Sequence, residues 1–251
     1  MLKNYYIERI IDPNDLRLQY IYESLLQPNF SPDEIEPIKK LRTLIENTVN
    51  KTTRNPLVLM VAYDNRDENP VSLINGNILD FGEVGCGAIG YTVTKKEHRR
   101  KGLASSLVKA FEEQIRKNNR CPKVSIVESR RGSGGFWDKV GYRKVQNGRT
   151  NIVYYQPPID FDFRTGEPVF GTVKETLRAK PLNEEMGIED FRKWLAISVK
   201  EMSGEWYLPE RTNFETERAY RNAVRNSERT VKTNLDSIRD TVKLRLQGVL
   251  V

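Results

Sequence analysis

The stretch that most constrains this chain is Val93–Lys117, VTKKEHRRKGLASSLVKAFEEQIRK. It reads as the end of a strand, a basic turn, and an amphipathic helix that opens near Leu103. Leu103, Leu107, Ala110, Phe111 and Ile115 share one helix face and mark the side to be buried, whereas Lys109, Glu112, Glu113, Arg116 and Lys117 point elsewhere. The turn holds Arg99, Arg100, Lys101 and Gly102. A helix start leaves backbone amides unpaired and carries the positive end of the macrodipole. Gly102 and Ala104 are small enough for a bulky anion to come close to the backbone, and three cations flank it. The combination predicts a phosphate or pyrophosphate site. The formal net charge of +7 suits an anionic ligand without naming one.

The surrounding pattern is that of an α/β domain. Tyr5–Ile11 alternates and predicts a first strand; Leu16–Leu26 and Ile38–Val49 predict helices; Leu57–Tyr63 is a near-continuous apolar run, hence a buried strand. Val71–Leu79 is the next strand, with Asn75, Gly76 and Asn77 marking a weak point or a bulge. Cys86–Thr94 feeds the basic turn, and a strand at Lys123–Glu128 follows the helix. Phe136–Val140 is a short helix ended by Gly141, and Tyr142–Val145 with Ile152–Tyr155 predicts a hairpin around Asn147-Gly148. Strands before, between and after helices place an α/β domain over residues 1–158. Residues 159–171 read as a connector, and 172–251 as a mainly helical extension with helices at Ile188–Met202 and Arg218–Leu246. In the last of these, Val224, Val231, Leu235, Ile238, Val242 and Leu246 form a narrow apolar stripe that needs a partner surface, on the α/β domain or on a second copy.

Other classes fit less well. Cys86 and Cys121 have no metal-ligand spacing and no disulfide framework, so no metal is expected and a reducing, cytoplasmic setting is. The opening MLKNYYIERIID is not a signal peptide, and no stretch is apolar enough to span a membrane. Residues 218–251 carry eight Lys or Arg against three Asp or Glu, a surplus of five positive charges. After Tyr220 that helix has no aromatic residue to stack on bases, so nucleic acid is not the expected partner.

Arg99-Arg100-Lys101-Gly102-Leu103-Ala104 resembles the R-x-x-G-x-G/A signature of the GNAT superfamily, the GCN5-related N-acyltransferases. About forty residues on, Phe136-Trp137-Asp138-Lys139-Val140-Gly141-Tyr142 resembles that family's F-Y-E-K-x-G-F element. The resemblance covers roughly residues 3–157. It implies a GNAT-type mixed, mostly antiparallel twisted sheet flanked by helices. It also implies acetyl-CoA or a longer acyl-CoA as co-substrate, with the pyrophosphate on Arg99, Arg100, Lys101, Gly102, Leu103, Ala104 and Ser105 and the pantetheine amides along Val93 and Thr94.

The implied reaction is direct attack of a primary amine on the thioester, the amine belonging to a small molecule or to a Lys or ornithine side chain of a peptide. Glu128, at the end of the strand after the signature helix, is the implied general base. Glu83 and Asp80, ahead of the signature strand, are the alternatives drawn from another subgroup. Trp137 stands where the family often has a tyrosine acid, and an indole N–H cannot protonate a thiolate. Tyr142 reads as a packing residue, and His98 as a packing or a phosphate-edge residue. The competing readings are a non-catalytic acyl-CoA sensor or scaffold and a small-molecule amine acetyltransferase. The C-terminal helices would serve substrate docking, as a lid, or in a homodimer.

Overall fold

The computed structural model describes residues 4–32, 34–80, 85–117, 124–130, 132–147, 150–156, 161–169, 173–182, 193, 195, 209, 211–237 and 244–246. The chain forms two compact units, residues 1–125 and 126–251, and the division falls inside the strand Val124–Ser129.

In the first unit, β1 (Tyr5–Ile10), β2 (Leu57–Asp64), β3 (Pro70–Asp80) and β4 (Gly85–Thr94) pair in chain order, each antiparallel to the next. The apolar run predicted at Leu57–Tyr63 is buried along its whole length, because side chains on successive residues serve opposite faces. Leu57, Leu59, Val61 and Tyr63 join a core with Leu18, Ile21 and Leu25 of α1 (Arg17–Ile21) and its continuation, and with Leu41 and Ile45 of α2 (Ile38–Val49). α1 runs on into a π-helical turn, Tyr22–Leu26, so the helix expected at Leu16–Leu26 is present in two geometries.

The other face is covered by α3 (Leu103–Arg116), which packs on β2, β3 and β4. Its buried residues include Leu103, Leu107, Phe111 and Ile115, four of the five predicted. Each large side chain so buried contributes about 2 kcal/mol. The helix approaches closely because two strand residues lack a side chain. A Cβ on Gly76 would lie 2.7 Å from Phe111 Cζ and 2.2 Å from the Ala88 carbonyl oxygen, and one on Gly87 would lie 2.0 Å from Ile115 Cδ1. The bulge anticipated near Asn75 lies on the facing strand. Asn75 pairs with Tyr91 and Gly76 with Ile89, leaving Gly90 as the extra residue. The buried Asn75 side chain accepts the Tyr91 N–H at 2.7 Å and so stabilises the bulge.

The second unit contains most of β5 (Val124–Ser129), then α4 (Gly134–Lys139), β6 (Arg143–Asn147), β7 (Thr150–Asn151), β8 (Val153–Gln156), β9 (Val173–Pro181), α5 (Glu217–Ser237) and β10 (Leu244–Leu246). Here the sequence reading needs correction. Residues 173–181, expected to open a helical extension, form a strand that lies between β5 and β6 and pairs antiparallel with both β8 and β6. Of the hairpin expected from Tyr142–Val145 with Ile152–Tyr155 around Asn147-Gly148, the described residues show the short β6–β7 ladder, and β8 pairs with β9.

Of the long helix expected at Arg218–Leu246, Glu217–Ser237 is helical, whereas Leu244–Leu246 is a strand that pairs with β6. The buried residues of α5 include Ala219, Ala223, Ser227, Thr230 and Asn234, whereas Val224 and Val231 of the predicted stripe are only half-buried. Small residues let α5 sit close, and the Asn234 amide takes the place of a neighbouring strand. It donates to the Tyr155 carbonyl at 2.8 Å and accepts the Tyr155 N–H at 2.9 Å. The segment 161–168, expected as a connector, turns at Gly166 and packs on α5 through Phe161, with Asn222 donating to the Thr165 carbonyl. The helix expected at 188–202 lies outside the described residues except for 193 and 195, both helical.

Candidate functional site

The basic turn has the backbone its sequence calls for. After β4, Lys96–His98 makes one 3₁₀ turn, Arg100 takes a left-handed φ of 62° and Gly102 one of 83° before α3 begins. A left-handed conformation is close to free for glycine but strained for arginine. Nothing lies within 4 Å of where a Gly102 Cβ would be, so glycine is required there by φ and not by crowding. No side chain caps α3, and its first intrahelical bond runs from the Ser106 N–H to the Gly102 carbonyl at 3.0 Å. The amides of Leu103, Ala104 and Ser105 therefore precede the ladder at an end bearing positive partial charge. Arg99, Arg100, Lys101 and Gly102 are exposed, and Ala104 and Ser105 are half-buried. Leu103 is instead a core residue, so its share in anion binding is confined to its amide.

Two of the three cations are tethered. Arg99 Nε donates to the Thr94 carbonyl at 3.0 Å, which ties the turn to the strand end. Lys101 Nζ donates to the Tyr5 hydroxyl at 3.1 Å, and the same hydroxyl lies 3.2 Å from His98 Nδ1. His98 meets the Tyr5 ring edge-on at 5.8 Å between centroids. It thus packs at the turn, as its place in the sequence suggests.

Register decides which part of the strand end offers free backbone. The Lys95 N–H bonds the Val71 carbonyl, and Ser72 stands opposite Thr94. Antiparallel pairs alternate between bonded and non-bonded. The amide and carbonyl of Val93 therefore face β3, where its carbonyl also accepts the Ser72 hydroxyl at 2.7 Å. Those of Thr94 face the opposite edge. The residues can hold an extended amide-bearing chain at Thr94 leading to a diphosphate at the helix start, which fits a CoA.

Glu128 stands near the end of β5, half-buried. It is hydrogen-bonded to Glu175 of β9, a residue absent from the sequence reading. Burial pushes the Glu175 carboxyl above the usual carboxylate range; the hydrogen bond to Glu128 and the positive charge of Arg130 pull it partly back. Period-two alternation in Val173-Lys174-Glu175-Thr176-Leu177-Arg178-Ala179 was the signal that could have revealed this strand. Glu83 lies outside the described residues, and Asp80 pairs with Gly85 at the far end of the β3–β4 ladder.

The F-W-D-K-V-G-Y element forms α4 and its exit. Gly141 turns the chain with φ 94°, and the Tyr142 N–H bonds back to the Trp137 carbonyl at 2.9 Å. Trp137 is buried, meeting Phe136 and Tyr142 edge-on, and Tyr142 is fully buried, so both serve packing. Arg178 of β9, also absent from the sequence reading, fixes this element from below. Its guanidinium donates to Ser129 Oγ at 3.0 Å and Asp138 Oδ1 at 2.7 Å. Among the described residues no cluster of His, Cys, Asp or Glu could hold a metal ion, and no helix is long and apolar enough to cross a membrane.

Residues 81–150 match the family model described as FR47-like protein. No curated protein matches the chain. Among solved structures, the NatC complex bound to Gag peptide and CoA is similar with a TM-score of 0.51 and 13% identity, over 72% of this chain and 99% of that one. Ard1 from Thermoplasma volcanium is similar with a TM-score of 0.49 and 15% identity, over 72% and 99%. A spermidine N-acetyltransferase, SpeG, from Vibrio cholerae is similar with a TM-score of 0.48 and 10% identity, over 72% and 95%.

Proposed function

From a chain with the fold of the GNAT N-acetyltransferases, we propose an acyl-CoA-dependent N-acyltransferase that moves an acetyl or longer acyl group to a primary amine. The observation that carries this reading is the uncapped start of α3, ringed by Arg99, Arg100 and Lys101. The NatC structure contains CoA and a peptide, which supports the same donor and admits a peptide amine as acceptor. The buried Cys86 thiol suits a reducing, cytoplasmic setting.

In this reading the amides of Leu103, Ala104 and Ser105 receive the pyrophosphate, with Arg99, Arg100 and Lys101 supplying charge. Thr94 pairs with the pantetheine and Val93 backs the strand from the core. The neutral amine attacks the thioester carbon, the C–N bond forms, and the C–S bond breaks with its electron pair on sulfur. Glu128 takes the proton from nitrogen. Trp137 holds no exchangeable acid, so CoA leaves as the thiolate or is protonated from another group. The test is calorimetric titration with acetyl-CoA, together with thiol release across a panel of primary amines that includes peptide N-termini and lysine-containing peptides. Replacing both Arg99 and Arg100 by alanine is expected to weaken acetyl-CoA binding about tenfold or more. An unchanged affinity overturns the reading.

A second reading is favoured by Trp137, buried in an aromatic cluster at the position of the family's tyrosine acid. It makes the chain an acyl-CoA sensor or scaffold. It predicts tight acetyl-CoA binding and no thiol release above hydrolysis with any amine of the panel.

A further inference from the structure

The carboxyl groups of Glu128 and Glu175 stand on the neighbouring strands β5 and β9 and are hydrogen-bonded to each other. Two carboxylates have acceptors only, so that bond exists when one of them carries a proton. Both residues are half-buried, so water screens their mutual repulsion less than at the surface. We propose that Glu175 is a positioning residue for the general base: it orients Glu128 and shares with it the proton taken from the attacking amine. This rests on the reading of Glu128 as that base.

The reason is the energy of the doubly ionised pair. Two negative charges held side by side repel, and uptake of a single proton both removes that repulsion and creates a strong hydrogen bond. The pair is therefore a better proton acceptor than one exposed carboxylate, and it titrates as a unit. In the step itself the pair starts ionised. The C–N bond forms, the C–S bond breaks with its electrons on sulfur, and the proton moves from nitrogen to Glu128, where the hydrogen bond to Glu175 holds it. The pair returns to its starting state by releasing that proton to solvent or to the thiolate.

Arg130 also acts on Glu175, its positive charge favouring ionisation. From β8, Tyr154 stands opposite Glu175 in the ladder. Arg178 and Lys174 belong to the alternate set of β9 residues. Burial raises the Glu175 carboxyl, while the hydrogen bond to Glu128 favours its ionised form, as expected where Glu128 holds the shared proton and Glu175 accepts it.

The test compares the unaltered protein with Glu175→Gln and Glu128→Gln, using acetyl-CoA and the amine from the panel that turns over fastest. In the unaltered protein, the acid limb of the kcat profile is expected above the ordinary carboxylate range. In Glu175→Gln that limb moves to lower pH and kcat at its plateau falls about tenfold or more, with acetyl-CoA affinity unchanged. The limb contributed by the amine's own ionisation is common to both and cancels from the comparison. A Glu175→Gln profile that superimposes on the unaltered one, while Glu128→Gln abolishes turnover, overturns the shared proton and leaves Glu128 as the base. Full turnover in Glu128→Gln removes the base assignment itself.

Infrared titration needs no turnover. The protonated-carboxyl band should persist in the unaltered protein at a pH where ordinary carboxylates have ionised, and should vanish in both variants. Its absence from the unaltered protein also overturns the proposal.

Discussion

Arg178 is 2% exposed and Asp138, its ion-pair partner, has a side chain 48% exposed. The asymmetry decides which partner matters more. Removing the aspartate strands a buried guanidinium, whereas removing the arginine leaves a carboxylate that water can solvate. Asp138→Ala is expected to destabilise by about 3 kcal/mol, and Arg178→Met by less, about 1 to 2 kcal/mol, because the aliphatic stem keeps most of the packing. Urea unfolding of the two variants checks the order, and a reversed order refutes it. Asp138 was visible in the sequence only as the acid of a motif. Its burial partner lies forty residues away and no local pattern connects them. Arg99, Arg100, Lys101 and Gly102 were legible because what they need, a left-handed turn and exposure, is local.

At the level of elements, α3 and the sheet beneath it illustrate what a strand glycine can mean. Gly76 weakened the strand reading, yet it and Gly87 both allow the helix to approach. Their tolerance should differ. A Cβ on Gly76 meets the backbone oxygen of Ala88 at 2.2 Å, which cannot rotate away. A Cβ on Gly87 meets the end of the Ile115 side chain, which can. Gly76→Ala is expected to cost about 3 kcal/mol and Gly87→Ala about 1 kcal/mol, measured by thermal or urea unfolding. Equal costs would mean that the sheet, and not the helix side chain, gives way. β9 and α5 show the limit of pattern reading. β9 has apolar residues at Val173, Leu177 and Ala179, but the charged residues between them, Arg178 buried among them, and its distance from the other strands concealed it. α5 was read by its valines, and it packs by its alanines and its Asn234, because a short interhelical or helix–strand distance selects small residues that hydropathy undervalues.

For the whole molecule, the pH dependence of stability follows from a knot of charge at the β1 end of the first sheet. Arg17 hydrogen-bonds Glu8 at 2.7 Å and Asp15 at 2.7 Å, and these bonds hold both carboxyls below the usual range. The Arg66 guanidinium does the same for the buried Asp64. A carboxyl depressed in the folded state contributes stability above its unfolded pKa, near 4, and loses it as the pH falls through the folded value. Arg17→Met is therefore expected to be less stable than the unaltered protein at pH 7, with the difference shrinking as the pH falls below about 4. Because the partners are partly solvated, added salt should narrow the gap at pH 7. Paired acid and salt titrations check both, and a gap that widens on acidification contradicts the assignment.

The sequence alone determined whatever depends on neighbours in the chain. It specified the first unit's strands and helices, the face α3 buries, and the turn that presents amides and cations to an anion. These are set by backbone sterics, side-chain period and capping, which act over a few residues. Only the tertiary structure decided that residues 173–181 complete the sheet between β5 and β6, that Glu175 stands beside Glu128, and that Arg178 supports α4. Strand partners are chosen by burial and hydrogen bonding between segments tens of residues apart, and the choice among them leaves no mark within either segment.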